Sequence, residues 1–557
     1  MTGCADGGPG RAEADAGSAA PGFSAWLDRF FAAYFRHRPV NATFIGEHAL
    51  DDKLPECSEA GVAAMLSDAD ALSARLQAFP PEALSATDRL DRQLAEGFLD
   101  VQRWEARSAQ FGFPFRNPTL FTGEVIFGVL GLLLRPFAPL QDRLDRAAAR
   151  LAATPALLES AALSLQPAPL AWVERARREC TGARLLLDSG IDRLLREAGI
   201  ERDDVRRAAS EASAAFARFD AFLERELLPR GTQHYACGAE ALDLLLRRAH
   251  FLEVDAGELE RLAVETLRAA TRADQVQTVD TTGLVSDTQV DAARRCEEVW
   301  HAARRLADEA DLVTFPEDWP VRFRHPPAWA REAALYLYFL PYRSPAPLDA
   351  VQVTECFVPE RADEATITLN YVLHHASLGH HVQNWFAARA ESRIGRVAAV
   401  DCAARIAMLC GGTLAEGWAC YSVDLARDTG FLTPAETAEQ DRTRRRMAAR
   451  AIVDIRLHDG RFSLEQAADF YQQHAGMSPG AAHAEAVKNS LVPGAACMYL
   501  AGWDGLWRLR RETQAREGRA FSLRAFHDRV LSFGSVPVPL IARAMRASGQ
   551  VAVHAHR

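Results

Sequence analysis

From Phe23 to about residue 310, the apolar positions of the chain mostly recur every three or four residues. This spacing puts them on one face of a helix, so this part of the chain is predicted to form amphipathic helices that pack on one another. Proline-containing steps such as Arg38-Pro39 and Asn117-Pro118 separate the helices. Two of the apolar stripes consist of Phe23, Trp26, Leu27, Phe30, Phe31 and Tyr34, and of Leu185, Leu186, Leu187, Ile191, Leu194 and Leu195.

Between residues 319 and 370 the pattern changes to short alternating, aromatic or β-branched segments bounded by prolines. Such segments are typical of short strands. The predicted fold is mainly α, with a small β-sheet immediately before a histidine-rich helix, which is the layout of a large helical zincin-like metallopeptidase. The strands are predicted at residues 321–324, 336–340, 351–353 and 366–369.

Helices resume after this region, with capping boxes that begin at Thr433 and Ser463 and a helix that ends near His458. The Gly- and Ala-rich residues 1–21 are predicted to be a disordered tail. The rest of the chain contains no Gly/Ser linker. Residues 22–557 are therefore predicted to form one helical domain, with a helical part at 22–310 and a part at 311–557 that carries the sheet and the site.

Composition restricts the classes of partner. The 557 residues are 48% hydrophobic and 25% charged, and their formal net charge is −10. This acidic balance argues against nucleic acid as a partner, because phosphate binding needs a concentrated basic face. The N-terminus lacks the basic and apolar regions of a secretory signal. The most apolar segment, residues 125–134, is shorter than the roughly 20 residues of a membrane span. A cytoplasmic protein that does not enter the membrane is therefore expected.

The chemistry of the chain concentrates in residues 371–385, where four of its sixteen histidines lie within eight positions. Neutral imidazole is the commonest protein ligand for metals. None of the ten cysteines forms a Cys-x-x-Cys pair, which argues against a thiolate zinc site. A carboxylate from a later helix, Glu416, would complete the usual ligand set of a zinc hydrolase. The four histidines are His374, His375, His380 and His381.

Helical spacing permits this metal site but does not demonstrate it. On an ideal helix His374 and His381 share a face, yet they lie about 10.5 Å apart along the axis. Two nitrogens that far apart cannot both bind one zinc at about 2.0–2.1 Å. The helix must therefore be distorted if both ends of the cluster bind a metal, and Gly379 lies where a break is needed. In the alternative interpretation, some of these histidines cap helices or pack in the core.

Several motifs together resemble the bacterial family catalogued as domain of unknown function 885. That family's pattern is His-Glu-x-x-Pro-Gly-His-His-x-Gln, then Glu-Gly-Trp-x-x-Tyr, then Pro-Gly-Gln-Ala-x-x-Tyr-x-x-Gly. The resemblance extends from about residue 23 to 530. It is carried by residues 374–383, Glu416-Gly417-Trp418 with Tyr421, residues 450–458, Pro493-Gly494 with Tyr499 and Gly502, and the N-terminal Arg38-Pro39, Ala42-Thr43 and Gly46.

The family looks similar to mostly helical zinc metallopeptidases and carboxypeptidases. The resemblance implies that His374, His380 and Glu416 are metal ligands and that His381 is a neighbouring or alternative ligand. It also implies that three further residues support the ligands or face the transition state, where a phenol or imidazole could stabilise an oxyanion. These residues are Tyr421, His458 and Tyr499.

The sequence departs from the family pattern at three positions, where His375, Leu378 and Ala495 replace Glu, Pro and Gln. The first departure affects catalysis, because in a zinc peptidase that Glu takes a proton from metal-bound water and passes it to the leaving amine. A neutral imidazole could do the same, although it brings no negative charge to the metal. His375 is therefore predicted to be the catalytic base of a hydrolase with weak or no ordinary peptidase activity.

Three functional hypotheses follow. The first is a divergent zinc-dependent hydrolase for small peptides or amide-like molecules. The second is a metal enzyme of altered chemistry, because two histidines and one carboxylate also hold iron in non-haem enzymes; iron or manganese would then replace zinc. The third is a catalytically inactive relative of the peptidases that binds its ligand in the same groove. The oligomeric state is not predicted.

Overall fold

The computed structural model describes residues 21–108, 111–277, 290–337, 342–343, 346–349, 352–398 and 410–555. The chain is mainly helical, as predicted. The predicted disordered tail lies outside the described residues, except for Pro21, which begins the first helix.

The N-terminal part is a succession of helices that begin or end at the predicted proline steps. The first helix ends at His37, the second begins at Pro39, and Asn117 caps the helix that begins at Pro118. The helices are α1 (Pro21–His37), α2 (Pro39–Ile45), α3 (Glu59–Leu76), α4 (Ala86–Arg107), α5 (Phe113–Arg116), α6 (Pro118–Leu134), α7 (Leu140–Ser164), α8 (Leu170–Leu185), α9 (Ile191–Ala198), α10 (Asp203–Phe222), α11 (Ala239–Arg248), α12 (Ala256–Gln277), α13 (Ala292–Glu309) and α14 (Ala328–Ala334).

The strands are short and lie before the histidine cluster in the chain. In a three-stranded sheet the central strand pairs in parallel with the first strand and antiparallel with the other. A second, two-stranded pair is antiparallel. The strands are β1 (Val290–Asp291), β2 (Val321–Arg324), β3 (Tyr342–Arg343), β4 (Thr354–Phe357) and β5 (Arg361–Ala362); the sheet order is β2-β4-β3, and β1 pairs with β5.

The strand predictions are confirmed only in part. The strand at 321–324 is present as β2. Residues 336–337 form a turn after α14, and residues 338–340 and 351 lie outside the described residues. The predicted strand at 366–369 is wrong, because these β-branched residues open a π-helical segment, Thr366–Ala376. Its hydrogen bonds run from residue i+5 to residue i, and such segments are frequent at functional sites.

The C-terminal part is helical and carries both predicted capping boxes, at Thr433 and Ser463. The helix predicted to end near His458 ends there, and Gly460 follows with a positive φ of 82°. After the π-helical segment the helices are α15 (His380–Ala388), α16 (Arg393–Val397), α17 (Gly412–Asp428), α18 (Pro434–His458), α19 (Leu464–Ala475), α20 (Pro479–Leu491), α21 (Cys497–Glu517), α22 (Leu523–Leu531) and α23 (Val538–Ala555).

Three large hydrophobic clusters form the core. The first joins α1, α3 and α4 to α13, β4, the π-helical segment, α15 and α17, so the N-terminal helices support the histidine-bearing region directly. The second packs α6, α7, α8 and α10 together, and the third packs α11 and α12 against α18 to α21. The apolar helix α6 is buried along most of its length in the second cluster. No helix of the described residues is long and apolar enough to span a membrane.

A buried polar network attaches α2 to the rest of the fold. His48 lies between two buried carboxylates: its Nδ1 is 2.8 Å from Asp51 and its Nε2 is 2.6 Å from Asp349. Its ring stacks on Phe137 with 3.8 Å between centroids. Burial lowers the pKa of His48, but the hydrogen bonds to Asp349 and Asp51 outweigh burial and raise it to about 9. At neutral pH, His48 is therefore a cation that compensates two buried anions.

We predict that this network makes stability depend on alkaline pH. Because the pKa of His48 is raised on folding from 6.5 to about 9, its stabilisation is complete below pH 6.5 and disappears as the pH rises through 9. The difference in unfolding free energy between wild type and His48→Gln should be on the order of 2 kcal/mol at pH 6.5 and small at pH 10. Urea unfolding at the two pH values measures it. The exposed His234→Gln variant is the control, and a difference that stays constant with pH would contradict the prediction.

Candidate functional site

A sharp break in the backbone brings His380 back to His374 and His375. The π-helical segment ends at Ala376, and α15 begins only at His380. A Cβ on Gly379 would lie 1.9 Å from the carbonyl oxygen of His374, so no larger residue fits this turn. The amide of Gly379 donates a hydrogen bond to the carbonyl of Leu373 at 2.9 Å. The backbone is thus broken at Gly379, the position that the sequence offered for a break, but the break brings His380 and not His381 to His374.

Two tryptophans stabilise this turn by satisfying carbonyl groups at the helix end. The indole Nε1 of Trp300 donates to the carbonyl of Ala376 at 2.8 Å, and that of Trp418 donates to the carbonyl of Leu378 at 2.8 Å. The last carbonyls of a helix lack partners within the helix, so external donors are needed where the end is buried. Because Trp418 is two residues after Glu416, the same contact fixes α17 beside the histidines.

Three imidazoles and one carboxylate converge at this point. His374, His375 and His380 each offer a nitrogen, and the three nitrogens lie within 4.8 Å of one another. One oxygen of Glu416, Oε2, lies 3.4 Å from Nε2 of His374 and 3.7 Å from Nε2 of His380. The structure thus brings together the three residues predicted to be metal ligands, and it adds His375 to the same group.

The protonation states suit a cation between these groups. Burial lowers the pKa of His374, so its ring is neutral at neutral pH. Burial opposes ionisation of Glu416, but the contacts with His374 and His380 outweigh it and hold the pKa of this carboxyl well below its usual range. The buried Oε2 of Glu416 has no hydrogen-bond partner in the part of the chain that the structure describes. An anionic oxygen beside imidazole nitrogens is a donor set that fits zinc or iron.

The orientation of His375 is fixed by a backbone carbonyl. Its Nδ1 lies 2.7 Å from the carbonyl oxygen of Asn370, which can only accept, so Nδ1 carries the proton. In the neutral ring the lone pair is therefore on Nε2. Burial, together with the neighbouring His374 and His380, lowers the pKa of His375 well below 6.5. The ring is a neutral group that can accept a proton or bind a metal, but it is a weak base.

The cluster forms one wall of a cavity of about 410 Å³ between the π-helical segment, α17, α18, α20 and α21. Volumes of this order hold small-molecule ligands. Cys420 also lines the cavity, and burial raises the pKa of its thiol, which therefore stays protonated. Tyr499 also lines the cavity. The other polar residues of the wall were not predicted from the sequence; among them are Asn370, Arg444, Arg446, Arg450, Lys488 and Trp503.

Three predicted site residues lie elsewhere. The Nδ1 of His381 lies 3.0 Å from the hydroxyl of Thr354 in β4, and burial lowers its pKa to about 3. The hydroxyl of Tyr421 lies 2.9 Å from Nε2 of His527. His458 is buried between α18 and α20, where burial lowers its pKa to about 4. None of the three is among the residues described as lining the cavity.

His458 belongs to a structural stripe on α18. Arg450, Asp454 and His458 follow at intervals of four residues and contact α20 or the start of α21. The Nε of Arg450 donates to Glu485 at 2.8 Å, Asp454 accepts from the amides of Gly494 and Cys497, and Nε2 of His458 donates to the carbonyl of Asn489. Only the first residue of the stripe reaches the cavity. A single sequence motif therefore combines one residue of the cavity with two that hold the helices together.

Glu416 is placed by a close crossing of α17 and α21 at two glycines. A Cβ on Gly417 would lie 2.5 Å from backbone atoms of Gly502, and a Cβ on Gly502 would lie 1.8 Å from the carbonyl oxygen of Thr413. The helix backbones touch here, so neither position can carry a side chain without separating the helices. Each glycine lies beside a polar residue of the site: Gly417 follows Glu416, and Gly502 lies one turn after Tyr499.

Comparisons with known proteins extend over almost the whole chain. The family described as "Bacterial protein of unknown function (DUF885)" matches residues 39–545. A candidate lipoprotein of unknown function from Shewanella oneidensis has a solved structure with a TM-score of 0.74 and 20% identity, over 94% of this chain and 99% of that one. The crystal structure of a second candidate lipoprotein, from Colwellia psychrerythraea, has a TM-score of 0.75 and 17% identity, over 95% of this chain and 99% of that one. At these identities, the likeness shows a shared fold. No curated protein matches the chain. The cytoplasmic location expected from the sequence stays a prediction.

We predict that alanine at the glycine crossing is strongly destabilising. Gly502→Ala should lower the unfolding free energy by about 2–3 kcal/mol, because its methyl group must displace the carbonyl of Thr413. Gly480→Ala in α20 is the control, since a Cβ there meets no atom within 4 Å, and it should be neutral or stabilising by up to about 1 kcal/mol. Thermal and urea unfolding measure both variants. Equal stability of the two would show that the helices do not touch at this point.

Proposed function

The chain belongs to the DUF885 family of bacterial proteins of unknown function, and we propose that it is a divergent metal-dependent hydrolase of small peptides or amide-like molecules. The observation that carries the proposal is the convergence of His374, His380 and Glu416 at one wall of a cavity of small-molecule size. Buried charged groups persist where they are paired or bind metals. Oε2 of Glu416 lies within 3.7 Å of two imidazole nitrogens and has no hydrogen-bond partner among the described residues, which supports metal binding.

Zinc is the metal proposed for this site, with iron or manganese as alternatives. When bound, such an ion would polarise a substrate carbonyl and lower the pKa of a water molecule that attacks it. The protein would supply two imidazoles and one carboxylate as ligands, and Trp418 keeps the carboxylate in place through its hydrogen bond to the carbonyl of Leu378. Tyr499 and Arg450 lie in the same cavity, where a phenol and a guanidinium can stabilise an oxyanion.

The proton-transfer role falls to His375 in this proposal. Its Nδ1–H donates to the carbonyl of Asn370, which leaves the lone pair of Nε2 to accept a proton in the cavity and return it to the leaving amine. A catalytic base works best when its pKa lies near the working pH. Because burial lowers the pKa of His375 well below 6.5, we expect a slow enzyme at neutral pH.

We predict that the purified protein, freed of any tag, binds about one zinc per chain and that His374→Ala and Glu416→Gln each lose it. Removing one of three ligands leaves a site that cannot complete tetrahedral coordination. Elemental mass spectrometry after dialysis measures the metal. Glu439→Gln is the matched control, since this carboxylate lines the same cavity but is paired with Arg442 and Arg446. Full zinc content in Glu416→Gln would remove the ligand assignment and with it the proposed function.

A second candidate function is a metal enzyme of non-hydrolytic chemistry, in which His375 is a ligand. This candidate is favoured by the short distances between the three histidines, whose nitrogens all lie within 4.8 Å of one another. Three imidazoles and one carboxylate would fill the four positions of tetrahedral zinc and leave no place for water. A metal that takes six ligands, such as iron or manganese, would keep open positions.

Variants of His375 separate the two candidates. If His375 is the base, His375→Gln should keep its zinc and lose turnover, and His375→Glu should raise amide hydrolysis about 100-fold or more by restoring a carboxylate. If His375 is a ligand, His375→Gln should instead bind the metal more weakly. Zinc affinity and kcat/KM on a panel of small amides and dipeptides measure the two effects. A His375→Gln variant that keeps both its metal and its turnover would contradict both roles.

A further inference from the structure

The wall of the cavity includes one tryptophan whose ring is held by its N–H while no other ring covers its face. Trp503 in α21 lines the cavity and is partly exposed there. Its Nε1 donates to Oδ2 of Asp424 in α17 at 2.7 Å. In the part of the chain that the structure describes, no other ring stacks on the indole and no cation lies over it. Aromatic rings favour contacts with other rings, so this indole can offer one to a ligand.

A buried carboxylate behind the wall fixes the indole together with two other residues of the cavity. Asp424 is fully buried. Besides Nε1 of Trp503, it accepts from Nε2 of Gln440 at 2.9 Å and from Nη2 of Arg444 at 2.8 Å. All three donors line the cavity, and they come from two helices, α18 and α21. The indole cannot turn away without removing a donor from a buried anion, so its orientation is set before a ligand arrives.

The indole lies next to the proposed metal ligands. A Cβ on Gly417, the residue after Glu416, would lie 2.8 Å from the backbone nitrogen of Trp503. The other end of the side chain reaches Asp424, which is eight residues after Glu416 and thus about 12 Å from it along α17. One residue of an extended peptide spans about 3.3–3.6 Å. A group that contacts the indole therefore belongs to the part of a substrate within about three residues of the reacting bond.

The surroundings of the indole favour a neutral, apolar group. Arg444 lies between Asp424 and Asp441, with distances of 2.8 and 3.2 Å, so both charged members of the network around Trp503 are in ion pairs. A flat apolar ligand gains from the removal of its surface from water and from contact with the ring. Three apolar residues, from the π-helical segment, α17 and α18, line the same cavity: Leu369, Val423 and Met447.

We propose that Trp503 determines the specificity of this site and that the substrate presents an aromatic group to its indole, close to the bond that reacts. The inference rests on the proposed function for the identity of that bond, but Trp503 and Asp424 bind no metal, so recognition of the aromatic group does not need one. The cavity of about 410 Å³ has room for a capped aromatic amino acid or a short peptide. Trp503 contacts the substrate and takes no part in proton transfer.

The experiment compares three uncharged ligands that differ in one side chain, the N-acetyl amides of phenylalanine, cyclohexylalanine and alanine. Dissociation constants are measured by ligand-observed NMR titration on zinc-loaded and on metal-depleted protein. We expect the phenyl ligand to bind both forms, about tenfold or more tightly than the alanine ligand. It should also bind about threefold more tightly than the cyclohexyl ligand, because only a phenyl ring can stack on the indole. Absence of phenyl binding, or a cyclohexyl ligand that binds as tightly, would overturn the proposal.

Substitutions in α21 test the residue with a matched control one turn away. Trp507 contacts the ring of Tyr421, with 4.9 Å between centroids, and is not among the residues described as lining the cavity. Trp503→Leu should reduce the preference for phenyl over alanine to about threefold or less, whereas Trp507→Leu should leave it unchanged. Trp503→Phe, which keeps a ring, should retain most of the preference. Thermal unfolding checks the folding of each variant. Equal loss in Trp503→Leu and Trp503→Phe would show that the residue only supports the wall.

The outcomes separate this inference from the proposed function. If the zinc-loaded protein cleaves small amides but does not prefer the phenyl ligand, or keeps that preference in Trp503→Leu, the inference is wrong while the hydrolase proposal stands. If no condition shows zinc binding but the phenyl preference is present and depends on Trp503, recognition of an aromatic group stands and the hydrolase proposal fails.

Discussion

The candidate site depends on one local constraint, the turn that joins the π-helical segment to α15. At Gly379 the backbone passes so close to the carbonyl of His374 that a side chain would collide with it. The turn leaves the carbonyl groups of Ala376 and Leu378 without partners in a helix, and the indoles of Trp300, which is partly buried, and Trp418, which is fully buried, donate to them. These contacts supply hydrogen bonds that the helix end lacks. They also connect α13 and α17 to the turn, so its geometry is set by the tertiary packing around it.

Most residues that the family pattern singles out near the site have a packing role rather than a chemical one. Gly417 and Gly502 allow two helix backbones to touch, and Trp418 connects one of these helices to the turn. Asp454 and His458 fix α20 and the start of α21 on α18. The few polar groups that face the cavity are therefore held by a dense set of contacts behind them. This arrangement preorganises the ligand atoms, which a metal or a substrate would otherwise have to order at a cost in entropy.

The histidine at position 375 changes the electrostatics of the site. A glutamate there would place a second anion beside Glu416, whereas the half-buried imidazole is held in its neutral form and adds no charge. A divalent ion held by Glu416 alone would keep a net positive charge, which a second carboxylate at position 375 would have neutralised.

The sequence alone determined the helical first half, the two capping boxes, the helix end at His458 and the need for a break at Gly379, because each is a local property of spacing and backbone chemistry. It also selected His374, His380 and Glu416, through motifs that resemble a family. It failed at residues 366–369, where burial in the core outweighs the strand preference of β-branched side chains. The tertiary structure alone placed Tyr421, His381 and His458 away from the cavity and Arg450 in it. Sequence spacing shows which residues share a helix face, but which neighbour covers that face is decided only when the helices pack.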